Sequence, residues 1–150
     1  MQIYNLKDKL EYLDEVVCLE YEEWADKKDE NREERIKEKK EKITKNFSNN
    51  SFCKLILLDK DELIGFISIF PSDCSEENNL TPWYATMYVK KEFRKLGYSK
   101  ILNDAILKEA RSRGFSKIYL KTDLKNYYEK FGAIYLRQLN SLESLYEFKL

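Results

Sequence analysis

The chain contains no histidine. A Cys–His nucleophile pair is therefore impossible, and the imidazole that most zinc sites draw on is missing. Its three cysteines, Cys18, Cys53 and Cys74, are odd in number and widely spaced, which suits neither a disulfide framework nor a metal cluster. There is no excess of either charge: 27 basic side chains face 27 acidic ones. A neutral balance argues against binding nucleic acid through a diffuse basic surface. No uninterrupted apolar run reaches the length of a signal peptide or a membrane span, and no repeat or low-complexity tract occurs. These absences predict a protein of the reducing cytoplasm with no metal, membrane or nucleic-acid partner.

What is present is a core. The chain has 150 residues, 43% hydrophobic and 14% aromatic, and although 36% are charged this is far from a disordered composition. The expectation is one domain over residues 1–150, large enough to bury a continuous interior.

The most informative stretch runs from Trp83 to Leu120. Trp83-Tyr84-Ala85-Thr86-Met87-Tyr88-Val89 is an apolar strand, and Lys117 to Lys121 is another. Between them Ile101, Leu102, Ala105, Ile106 and Ala110 recur at helical spacing, with Gly114 placed as a left-handed stop. A strand–helix–strand crossover makes its two strands parallel neighbours and opens the helix N-terminus at the carboxyl edge of the first. The amides of Leu96-Gly97-Tyr98-Ser99 then lack intrahelical partners and, with the helix dipole and the charges of Arg94 and Lys95, offer a phosphate site. The tetrad alone reads rather as an ordinary helix start with a permissive glycine, since short glycine motifs recur by chance.

The flanking segments are less chemical. Gln2 to Leu6 predicts a first strand, with Asn5 capping a helix whose stripe is Leu10, Leu13, Val17, Tyr21 and Trp24. Its end is acidic, with Glu20, Glu22, Glu23 and Asp26, where the dipole disfavours negative charge. Those acids either attract a cationic amine or are ordinary surface carboxylates. Lys27 to Lys45 predicts a solvated helix with a thin seam of Ile36, Ile43 and Phe47 and the i, i+4 pairs Glu33/Lys37, Glu38/Lys42 and Glu41/Lys45. It reads as a mobile flap over that end of the domain. Phe52–Leu58 and Leu63–Phe70 form an antiparallel hairpin, residues 71–81 a polar loop, Tyr127–Phe131 a short helix, and Ala133–Arg137 and Leu145–Lys149 two closing strands.

Phe93-Arg94-Lys95-Leu96-Gly97-Tyr98-Ser99 opening a helix, Pro82-Trp83 leading into Met87-Tyr88-Val89, and Tyr127-Tyr128-Glu129-Lys130-Phe131-Gly132 one strand later together resemble the GNAT N-acyltransferase superfamily. The resemblance is carried by the second half of the chain, and the order of elements extends it over nearly all of it. It implies an α/β fold with a mixed, mostly antiparallel sheet of six to seven strands, one central parallel pair and about four flanking helices. In the family's Arg/Gln-x-x-Gly-x-Gly/Ala signature, which binds the pyrophosphate of acetyl-coenzyme A, Arg94 and Gly97 match and Ser99 replaces the usual small residue.

Carried over position by position, Met87, Tyr88 and Val89 would pair with the pantetheine arm and polarise the thioester carbonyl, while Arg94, Lys95, Leu96, Gly97, Tyr98 and Ser99 would hold the diphosphate. Tyr128 would be the general acid, with Tyr127 as its competitor. Taken outside the motif, Tyr128 is one of 11 tyrosines and reads as helix packing. Glu22, Glu23 and Trp24 fall on the acceptor side. No carboxylate lies in Trp83–Val89, so the base is left among water reaching Glu22 or Glu23, a loop acid, and an amine that arrives neutral. The resemblance implies an acetyl-coenzyme A-dependent N-acetyltransferase for a small-molecule or peptide amine, with a homodimer as its possible assembly. The alternatives are a non-catalytic acyl-coenzyme A-binding module and a nucleic-acid-binding α/β domain, the latter disfavoured by the neutral charge.

Overall fold

The computed structural model describes residues 1–25 and 31–150. In chain order the elements are β1 (Gln2–Asn5), α1 (Leu13–Trp24), α2 (Arg32–Asn46), β2 (Cys53–Asp59), β3 (Glu62–Phe70), β4 (Trp83–Val89), α3 (Tyr98–Ser112), β5 (Lys117–Thr122), β6 (Ile134–Gln138) and β7 (Ser144–Lys149). The strands make one seven-stranded sheet in the order β1-β2-β3-β4-β5-β7-β6. Only β4 and β5 are parallel; each other neighbouring pair is antiparallel. The mixed sheet with one central parallel pair is thus as expected, flanked among the described residues by three α-helices, with a 3-10 turn, Tyr128–Phe131, in place of the short fourth helix.

The sheet separates two apolar layers. On one face α3 presses Leu102, Ile106 and Ala110, each 0% exposed, against Leu55, Leu57, Ile67 and Ile69. Gly114, at φ +90°, ends this helix in the left-handed conformation, as its spacing predicts. Ile101, counted on the stripe, is 41% exposed, and Asn103 takes a buried place beside Leu102. On the other face Val16, Val17, Ile36 and Ile43 of α1 and α2 cover Ile56, Leu58 and Phe66.

The N-terminal expectations need correction in phase. Asn5 does cap a turn, its Oδ1 accepting from the Lys7 N–H at 3.1 Å, but the turn is 3-10. A second 3-10 turn spans Leu10–Tyr12, so the α-helix begins only at Leu13. Counting from Leu10 misjudges the ends of the stripe: Leu10 is 54% and Trp24 48% exposed, while Val16, Val17 and Glu20 are buried. In α2 the Ile36 and Ile43 seam is present, with Phe47 partly buried against it. Among the described residues the three i, i+4 pairs are not formed; Arg32 reaches Glu22 of α1 at 2.8 Å and Lys40 reaches Asp14. Asp26 and the start of the charged segment at Lys27 lie outside the described residues.

Candidate active site

Parallel strands β4 and β5 share a single register pair, Trp83 with Tyr119. Beyond it they part, and the sheet opens. The gap is a cleft of about 690 Å³ with Met87, Tyr88 and Val89 along one wall and Leu124, Tyr127, Tyr128 and Lys130 along the other. The parting exposes one hydrogen-bonding edge of β4 in the middle of a sheet, where unpaired N–H and C=O groups otherwise find a neighbouring strand.

The floor at one end is the start of α3. Gly97 caps the helix at φ +87°, and Lys95 two residues earlier is also left-handed at φ +66°. Such alternation turns successive amides toward one point, the concavity that binds anions. No side chain caps the helix, so its first N–H groups have no protein acceptor there. A Cβ on Gly97 would meet nothing within 4 Å; the glycine serves the backbone conformation and leaves space in front of it. Gly97, Tyr98, Ser99, Lys95 and Arg94 all line the cleft, whereas Leu96 points out at 62% exposure. Arg94 has a second task. Its Nε donates to the Val89 carbonyl at 2.8 Å and its guanidinium lies 5.5 Å from the centre of the Tyr88 ring, fixing the last turn of β4. These residues therefore fit a diphosphate through backbone amides and a cationic rim.

Tyr128 is buried and lies on the opposite wall, on the 3-10 turn closed by Gly132 at φ +99°. Its ring meets Tyr84 and Tyr127 edge-on at centroid distances of 5.7 and 4.8 Å. Removal from water pushes its pKa up to about 12, helped by Tyr127 and Asp123, so the phenol keeps its proton throughout the neutral range. Among the described residues it donates to no protein acceptor, which leaves the proton for something in the cleft. Tyr127 also lines the cleft, under the Lys130 ammonium at 4.0 Å.

On the acceptor side the three expected residues separate. Glu23 lines the cleft. Trp24 is outside its lining and meets Tyr88, which lines the cleft, edge-on at 6.2 Å. Glu22 is turned away into its pair with Arg32. Glu20, grouped with them as a surface acid, is buried and paired with Lys54 of β2. Among the described residues no group of His, Cys, Asp and Glu is placed to hold a metal ion.

Sequence reasoning missed one residue that shapes this site. Gly65 on β3 pairs with Val89, and a Cβ there would lie 2.3 Å from the Tyr88 carbonyl oxygen and 3.1 Å from the Val89 Cα. Only glycine lets β3 approach the cleft-lining part of β4 so closely. A glycine alone in an apolar strand run was the available signal.

The sequence profile of the acetyltransferase (GNAT) family matches residues 11–133. No curated protein sequence matches the chain. Solved structures align along almost all of it. An aminoglycoside 6'-N-acetyltransferase complexed with coenzyme A has 20% identity and a TM-score of 0.72, over 99% of this chain and 97% of that one. The aminoglycoside 6'-N-acetyltransferase from Enterococcus faecium has 20% identity and a TM-score of 0.69, over 99% and 97%. PaiA N-acetyltransferase from Thermoplasma acidophilum, in complex with coenzyme A, has 23% identity and a TM-score of 0.66, over 100% of both chains. At these identities the structures speak for the fold, and the profile match over most of the length speaks for descent: the chain belongs to the GNAT acetyltransferase family.

Proposed function

We propose that the protein is an acetyl-coenzyme A-dependent N-acetyltransferase in which a primary amine of a small-molecule or peptide acceptor attacks the thioester directly. The carrying observation is the parted β4–β5 pair, which sets a free strand edge, an uncapped helix N-terminus and a protonated tyrosine around one cleft. Acetyl-coenzyme A supplies the activated acyl group. The amides at Gly97 to Ser99, with Arg94 and Lys95, hold the diphosphate, and the Met87–Val89 edge aligns the pantetheine arm and polarises the carbonyl through a backbone N–H. The new N–C bond forms as the C–S bond breaks. Tyr128 gives its proton to the departing thiolate, and the ammonium formed on the acceptor loses one to water. Most of the acceleration comes from holding the reactants together.

Glu23 and Trp24 at the rim favour a cationic amine, in keeping with the aminoglycoside enzymes among the structural neighbours. On this reading residues 1–150 act as one cytoplasmic domain, and the edge strand β6, with Ile134, Tyr135 and Leu136 exposed, is where a second copy would pair. Among the described residues no helix is long and apolar enough to cross a membrane. The competing reading, a module that binds acyl-coenzyme A without turnover, draws on the lack of any carboxylate in β4.

Release of free thiol from acetyl-coenzyme A across a panel of amines tests the proposal, with calorimetry for binding. Tyr128→Phe should lower kcat by about a hundredfold with the coenzyme KM unchanged. Unchanged kcat moves the acid role to Tyr127. Binding without thiol release for any amine favours the module, and no heat at millimolar coenzyme A removes both.

A further inference from the structure

Three buried polar side chains between α1 and the sheet, Glu20, Lys54 and Ser68, and the half-buried Thr86 beside them have no part in that chemistry. Lys54 of β2 is fully buried and paired with Glu20 of α1, itself 3% exposed. The Lys54 Nζ also donates to the Ser68 Oγ at 2.6 Å and, at 3.4 Å, directly to the Thr86 Oγ1, and the Ser68 and Thr86 hydroxyls are 2.5 Å apart. The rings of Phe66 and Phe70 flank the ammonium at 5.5 and 5.2 Å. Removal from water pulls the lysine pKa down, and the Glu20 carboxylate opposes that. A buried ion pair is a poor source of stability, since well-packed apolar side chains usually do as well. Another use for it is therefore to be sought.

The chain of contacts ends on a strained residue. Thr86 has φ +50°, a conformation that β-branched residues rarely adopt. It lies where the β3–β4 register slips: Ser68 faces Ala85 but Phe66 faces Tyr88, so β4 carries one extra residue. Such a bulge bends its strand. The bend falls immediately before Met87, and from there β4 leaves β5 and lines the cleft.

We infer that the Lys54–Glu20 pair is a positioning device, which directly and through Ser68 holds Thr86 left-handed and so keeps the Met87–Val89 edge turned away from β5 and free for ligand. Glu20 and Lys54 touch no reactant and act only through the backbone of β4. The inference rests on the acyltransferase reading for its purpose, but its geometry can be tested without it.

The decisive comparison is Lys54→Met against Lys54→Met/Thr86→Gly. Glycine adopts a positive φ unaided, so it should make the lysine dispensable. The single variant should weaken coenzyme A binding by about tenfold, the order of effect expected from one strained residue relaxing, and the double variant should recover most of it. A merely structural lysine predicts the opposite, because a further glycine in a strand weakens the fold. Without ligand, the HN–Hα coupling and backbone shifts of residue 86 should leave the positive-φ range in Lys54→Met. Should that variant fold poorly, Thr86→Val, which removes the hydroxyl that both links reach and leaves the ion pair and the β-branched shape, should show the same change. The inference is overturned if residue 86 keeps its positive φ in Lys54→Met or Thr86→Val, or if the double variant binds no better than the single. If the unaltered protein binds no coenzyme A, the acyltransferase reading fails, and the ligand-free dihedral measurement still decides this one.

Discussion

The two faces of the sheet are covered by different means. Helix α3 is held by an apolar stripe whose Leu102, Ile106 and Ala110 are fully excluded from water, with the polar Asn103 buried beside them. Helix α2 has only Ile36 and Ile43, 8% and 6% exposed, and is otherwise tied to α1 by exposed ion pairs such as Arg32–Glu22. Exposed pairs of this kind contribute little. On the proposed reading the firmly packed helix presents its amides to a diphosphate, a ligand that demands one fixed geometry. The thinly packed α2 pairs through Arg32 with Glu22, next to Glu23 and Trp24, where on the same reading the acceptor would be chosen.

Truncation on each face measures that difference. Ile106→Ala leaves a hole that α3 cannot close, and should lose about 4 kcal/mol of unfolding free energy. Ile43→Ala lies in a two-residue seam whose helix can settle inward, and should lose about 2 kcal/mol. Denaturant titration of both checks the comparison. Equal losses would mean that α2 is as firmly part of the core as α3, and α2 would then be a poor candidate for a flap over the acceptor end.

Gly65→Ala probes the boundary between the faces. The added methyl meets backbone, the Tyr88 carbonyl, which cannot swing aside as a side chain would. The expected loss is about 2 to 3 kcal/mol, by overpacking, with weakened coenzyme A binding because the displaced segment lines the cleft. Calorimetry on the folded fraction separates the two effects. A stability loss with unaltered affinity would show that β3 yields while β4 holds its course.

The same contrast governs what could be read in advance. β4, β5 and the start of α3 follow their sequence patterns closely, because alternation, helical spacing and glycine placement are local signals. α1 was displaced in phase because residues 6–12 form 3-10 turns, whose three-residue period does not continue the helical count. Glu20 read as a surface acid because its partner Lys54 is 34 positions away, and no local rule joins them. Lys54 itself was visible as a lone charge inside the apolar run Phe52–Leu58. Gly65 and Thr86 act through approach and register between strands, which only the folded sheet defines.

The smallest expected effect concerns Asp73, in the loop between β3 and β4. Burial raises its pKa to about 6, against the pull of Lys121 and with a further push from Glu143. The native state thus binds a proton more tightly than the unfolded chain, whose carboxyl titrates near ~3.9. Stability must fall as pH rises between those values, the penalty being absent below the lower and complete above the upper. Asp73→Asn removes the charge and keeps the shape. After allowance for partial exposure it should add about 1 kcal/mol at pH 7.5, or about 3 °C in Tm, and nothing near pH 4. An equal gain at both pH values would assign the effect to packing. The pH-dependent gain alone would show that the chain keeps an ionised carboxylate in this loop where a neutral amide would serve stability better.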